Sequence, residues 1–82
     1  VTLNIAGVNS LEAEAIRMRI RSAHQKSQGG TKSFYEIPNR LECSSKSLGT
    51  TLAWWIDGWL LVFHSKDMED LRPFVRAYLE RH

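Results

Sequence analysis

The chain has 82 residues, 43% of them hydrophobic, and a formal net charge of +2. That length supports one domain, which buries only about 60 to 65% of its unfolded surface and needs a dense core; three Trp, three Phe and two Tyr can supply it without disulfides or metals. The charge falls short of the cationic bias of a dedicated nucleic-acid binder, and the longest nearly apolar run, about thirteen residues broken at Asp57-Gly58, is below the roughly 20 of a transmembrane helix.

Cys43 is the sole cysteine, which excludes an internal disulfide and any CxxC pair. A lone thiol fits a reducing, intracellular compartment, and its simplest role is that of a half-buried strand residue. Because the chain opens on Val1, residues 1–82 are read as a single domain excised or processed from a longer chain.

Thr2 to Ile5 alternates with period two, giving a short first strand that ends at Gly7. Asn9 is placed to cap a helix and Glu12 to complete a capping box. The run LEAEAIRMRIRSAHQK holds good helix formers, and the helix should stop near Ser27, before Gln28-Gly29-Gly30-Thr31. Ala13, Ile16, Ile20 and Ala23 form the line assigned to the core. Leu11, Ala15 and Met18 form a second apolar line nearly opposite, which the C-terminal helix could cover. Ser33 to Ile37 and Arg40 to Ser44 are two strands with a Pro38-Asn39 turn, or else one bent edge strand.

Thr51 to His64, TLAWWIDGWLLVFH, is a β-hairpin turning at Asp57-Gly58, the residue types that a type I′ turn takes at positive φ. The turn pairs Ile56 with Trp59, Trp55 with Leu60, Trp54 with Leu61, Ala53 with Val62 and Leu52 with Phe63. One face then carries Ile56, Trp59, Trp54, Leu61, Leu52 and Phe63, and the other Trp55, Leu60, Ala53 and Val62. Met68, Leu71, Phe74, Val75, Tyr78 and Leu79 recur at helical spacing, capped by Ser65 or Asp67. Pro73 either kinks this last helix or starts it, and the unbroken stripe favours one kinked helix.

The class is α+β, in the order β-α-β-β-β-β-α, with a small antiparallel sheet and both helices expected on one face. Under that arrangement Trp55, Leu60, Val62 and Ala53 remain uncovered and would bind a partner protein or a second copy. The alternative is nucleic-acid or anionic-ligand binding through Arg17, Arg21, His24, Lys26 and Lys32 around the Gly29-Gly30 loop. Membrane attachment through Trp55 is the weakest of the three readings.

Nothing in the chain calls for an enzyme, a cofactor or a metal. Cys43, Asp57 and His64 contain the residue types of a catalytic triad. Asp57 and His64, however, sit at opposite ends of one strand, roughly 20 Å apart at about 3.3 Å per residue. Glu36 and Glu42 are better read as sheet-edge residues than as an acid-base pair.

Overall fold

The computed structural model describes residues 1–28 and 30–81. In chain order the elements are β1 (Thr2–Gly7), α1 (Ser10–Lys26), β2 (Lys32–Ile37), β3 (Arg40–Ser45), β4 (Gly49–Ile56), β5 (Trp59–Ser65) and α2 (Arg72–Arg81). The strands form one sheet in the order β1-β5-β4-β3-β2, antiparallel at every junction. The α+β class and the element order are those read from the sequence, and β2 and β3 are separate strands joined at Pro38-Asn39.

The β4–β5 hairpin organises the sheet. Asp57 has φ 49° and Gly58 φ 81°, and all five cross-strand pairs follow the predicted register. Strand β1 adds to the outer side of β5, from Thr2 opposite His64 to Gly7 opposite Trp59, and the Val8 N–H donates to the Gly58 carbonyl at 2.8 Å.

Helix α1 begins with the expected capping box. Asn9 Oδ1 accepts from the Glu12 N–H at 2.8 Å, and Glu12 Oε1 accepts from the Asn9 N–H at 3.3 Å. The helix must carry the chain from β1 at one edge of the sheet to β2 at the other. Four strand spacings amount to about 19 Å, and its 17 residues span about 25 Å, enough to cross the sheet obliquely.

The two helices do not share a face, which corrects the expected packing. Alternation along the strands puts Ser45, Thr51 and Ala53 on one side and Leu52, Trp54, Leu61 and Phe63 on the other. On the first side His24 of α1 contacts the Ser45 and Thr51 hydroxyls. On the second, Leu71 and Val75 pack with Leu52, Leu61 and Phe63, joined by Leu3, Trp54 and Tyr78. A hairpin apolar on both sides needs a layer on each, and this chain has one helix for each. Leu11 and Met18, the line expected to meet α2, are therefore exposed, and Ala23 is exposed as well.

The last helix starts later than its apolar stripe suggests. Neither Ser65 nor Asp67 caps it; it begins at Arg72, with Pro73 in the first turn, where a missing N–H costs no helical hydrogen bond. Asp70 stands before it, its carboxylate accepting from the Arg72 N–H at 3.0 Å and from the Arg72 guanidinium at 2.8 and 2.9 Å.

Gly49, opening β4, has φ +80°, and a Cβ there would lie 2.0 Å from the Ser65 carbonyl oxygen. Gly49→Ala should lower unfolding free energy by at least about 2 kcal/mol. Urea titration checks this, with Gly7→Ala as the control, since Gly7 has room for a Cβ 3.7 Å from the Trp59 ring.

Candidate functional site

The surface expected to face a partner is largely interior. Ala53 and Leu60 are 1% and 2% exposed, and Trp55 and Val62 are half-buried, because α1 lies over that side of β3 and β4. The structure does keep these four residues together on one face. It withdraws two of them from any partner.

The basic stripe of α1 faces the sheet. Arg17 is 8% exposed, and its guanidinium donates to the Pro38 carbonyl at 2.7 Å, the Ile37 carbonyl at 3.0 Å and the Glu36 carboxylate at 2.7 Å. Arg21 binds the other oxygen of Glu36. A carboxylate held by two guanidiniums, one of which also donates to two turn carbonyls, forms a clamp between α1 and the β2–β3 turn. The line that α1 buries is thus Ala13, Arg17 and His24, with Ile16 and Ile20 half-buried beside it.

His24 is 2% exposed and sits between two hydroxyls, Ser45 Oγ at 2.9 Å from Nδ1 and Thr51 Oγ1 at 3.2 Å from Nε2. Each hydroxyl can donate or accept, so either neutral tautomer is satisfied. Burial, with His64 nearby, lowers the His24 pKa below its ordinary value. Of the remaining predicted anion ligands, Lys32 donates to the Gln25 carbonyl at 2.8 Å and Lys26 is exposed. Gly29 of the Gly29-Gly30 loop lies outside the described residues.

The residues with nucleophilic or basic chemistry are occupied in the same way. Cys43 is fully buried, and desolvation pushes its thiol up to about 11, far from a reactive thiolate. His64 Nε2 bonds the Leu48 carbonyl at 2.9 Å. No group of three or more metal-ligating side chains occurs among the described residues.

Leu11 and Met18 are exposed on α1 and Phe34 and Tyr35 on β2, and a further group of exposed apolar side chains lies around α2. Ile5 of β1 is 49% exposed, Trp59 of β5 55% and Leu79 of α2 42%, and with Ile56, Leu61 and Tyr78 they line an open cleft of about 560 Å³. Trp59 pairs with Gly7 on the neighbouring strand, its ring beside the bare glycine backbone and open to solvent. Beyond Tyr78, along the same β1–β5 flank, a second cleft of about 430 Å³ is lined by Val1, Leu3, Phe63, Phe74 and Tyr78. Tyr78 closes both, its ring edge-on to Phe63 at 6.0 Å.

The alternation of the hairpin puts Trp59 and Ile56 on the face expected beneath the helices, and nothing in the sequence marks Ile5 as a site residue. Widths alone point to the surface. A helix about 10 to 12 Å across covers two or three strands, and five strands at about 4.8 Å leave the flanks open.

A third cleft, about 400 Å³, lies on the other side of α2 beside Arg40, Trp54, Arg72 and Arg76. Its cations have counterparts. Arg72 is bound by Asp70, Glu42 lies 3.4 Å from Arg40 Nε in attraction without a hydrogen bond, and Glu80 stands on the wall. Arg40 also stacks over the Tyr35 and Trp54 rings at 5.6 and 5.8 Å.

No family model, curated protein or solved structure matches this chain. No helix among the described residues is long and apolar enough to cross a membrane.

With the folded-state pKa of His24 lowered, the unfolded chain takes up the proton first as pH falls below about 6.5. Stability is therefore full above that value and declines below it, by at most about 1.4 kcal/mol per pH unit for one proton. Urea midpoints from pH 7.5 to 5.5 should fall, and His24→Gln should flatten the slope while lowering stability at pH 7.5. A slope unchanged in the variant places the titration elsewhere.

Proposed function

We propose that this chain is a non-enzymatic protein-interaction or assembly domain that docks through the Trp59 side of α2. The observation that carries the reading is the convergence of Ile5, Trp59 and Leu79, each at least 42% exposed, on one open apolar cleft. Single exposed aliphatics are ordinary on a folded surface, whereas a contiguous patch built around an exposed tryptophan marks an interface. Phe74 and Val1, beyond Tyr78 on the same β1–β5 flank, extend the patch.

Support for the non-enzymatic part comes from placement. Cys43 is buried, and His24 and His64 are hydrogen-bonded to Ser45 and to the Leu48 carbonyl. The reading through Arg17, Arg21, His24, Lys26 and Lys32 has less behind it, because Arg17, Arg21 and His24 are committed to Glu36, to the β2–β3 turn and to the sheet hydroxyls.

The test compares wild type with Trp59→Asp/Leu79→Asp, both exposed positions, as baits for foreign protein and by light scattering for self-association. The double variant should keep its circular dichroism and lose binding by at least about tenfold. A wild type that binds neither itself nor another protein, or a variant that binds equally well, rejects this function.

A further inference from the structure

The two edges of the sheet are built differently. At β2 the edge is guarded, since Glu36 is tied to Arg17 and Arg21, Lys32 reaches back to Gln25, and Pro38 ends the strand. Strand β1 has no such protection. Its six residues, Thr-Leu-Asn-Ile-Ala-Gly, contain no charge and no proline, and all but Leu3 are exposed. An edge presents unpaired N–H and C=O groups, and folded proteins ordinarily blunt it with lysine, proline or a bulge. Here the unguarded edge also borders the apolar patch, through Ile5 and the neighbouring Trp59.

We propose that β1 is the strand through which a second copy of this chain adds, antiparallel about Asn4, so that the two sheets continue as one. This rests on the interaction reading above and names its partner. A twofold axis normal to the sheet requires that one residue of the strand meet its own copy. Centring on Asn4 pairs Leu3 with Ile5 of the second copy on the Trp59 side, and Thr2 with Ala6 on the α1 side. Centring on Ile5 instead would set Leu3 against Gly7, which offers no side chain. The Asn4-centred register joins aliphatic to aliphatic in both directions, and two amides face each other able both to donate and to accept. An uncharged strand meets its own copy without like-charge repulsion, and that favours self-pairing over capture of a charged foreign strand.

Equilibrium sedimentation from about 1 μM to about 1 mM reads the outcome, the range in which a small interface associates. Wild type should move from monomer to dimer mass, and Asn4→Lys, which sets lysine against lysine, should raise the dissociation constant at least about tenfold, with an unchanged melting temperature at about 1 μM, where both are monomeric. Under mild oxidant, Asn4→Cys should form a disulfide-linked dimer at least about tenfold faster than Thr2→Cys, because only position 4 meets itself. Cys43 is fully buried and stays out of the reaction.

A wild type monomeric throughout, an Asn4→Lys variant that dimerises equally well, or equal cross-linking at positions 2 and 4 overturns the proposal. Asn4 projects from the face opposite Trp59. Foreign-protein capture that survives Asn4→Lys but not Trp59→Asp would therefore reject self-pairing and leave the interaction reading standing.

Discussion

Strands β4 and β5 carry large apolar side chains on both faces, and a hairpin of that kind cannot be finished by a single layer. Water must be removed from Leu52, Leu61 and Phe63 on one side and from Ala53 and Leu60 on the other. With two helices available, each takes a face. The other large features follow from that division. α1 becomes a long crossover because its face must be spanned from edge to edge, and α2, only 10 residues long, is a narrow lid over a sheet wider than itself. The surface left beside α2 results from the same shortage of chain.

The side covered by α1 is held by polar chemistry to an unusual degree for so small a domain. Ser45 and Thr51 lie under the helix where aliphatic residues would ordinarily be, and His24 spans both. Arg17 brings a charge nearly out of water but surrounds it with a carboxylate and two carbonyls. Such groups contribute little net stability over a well-packed apolar surface. They fix where the helix sits, since a shift of one turn would leave a buried guanidinium and an imidazole without partners.

Much of the fold was legible because its signals are local. Asp57-Gly58 sets the register of the hairpin through its own backbone, and Asn9 with Glu12 sets the start of α1 within four residues. What was not legible depends on distant chain. Arg17 and His24 look like a solvated stripe until β2 and β3 supply Glu36, Pro38 and Ser45 as partners, so periodicity ranked Ala23 above His24 for the core. The apolar phase of residues 68–79 ran through Pro73 as though one helix were present, although only backbone geometry fixes the start at Arg72. The candidate site was half legible. The register of the hairpin was readable, but which of its sides stays open is set by which helix lies where, a property of neither strand.

The shallow seat of α2 separates two demands that small domains usually confuse. The helix rests on the sheet through Val75 and Tyr78, with Leu71 just ahead of it, and the hydrogen-bonded framework beneath is complete without it. Phe74, Leu79 and their neighbours on its outer flanks can therefore change with little effect on the strands. The residues that seat the segment and those that form its exposed flanks are different, so its outer surface can vary in sequence while the sheet keeps its form.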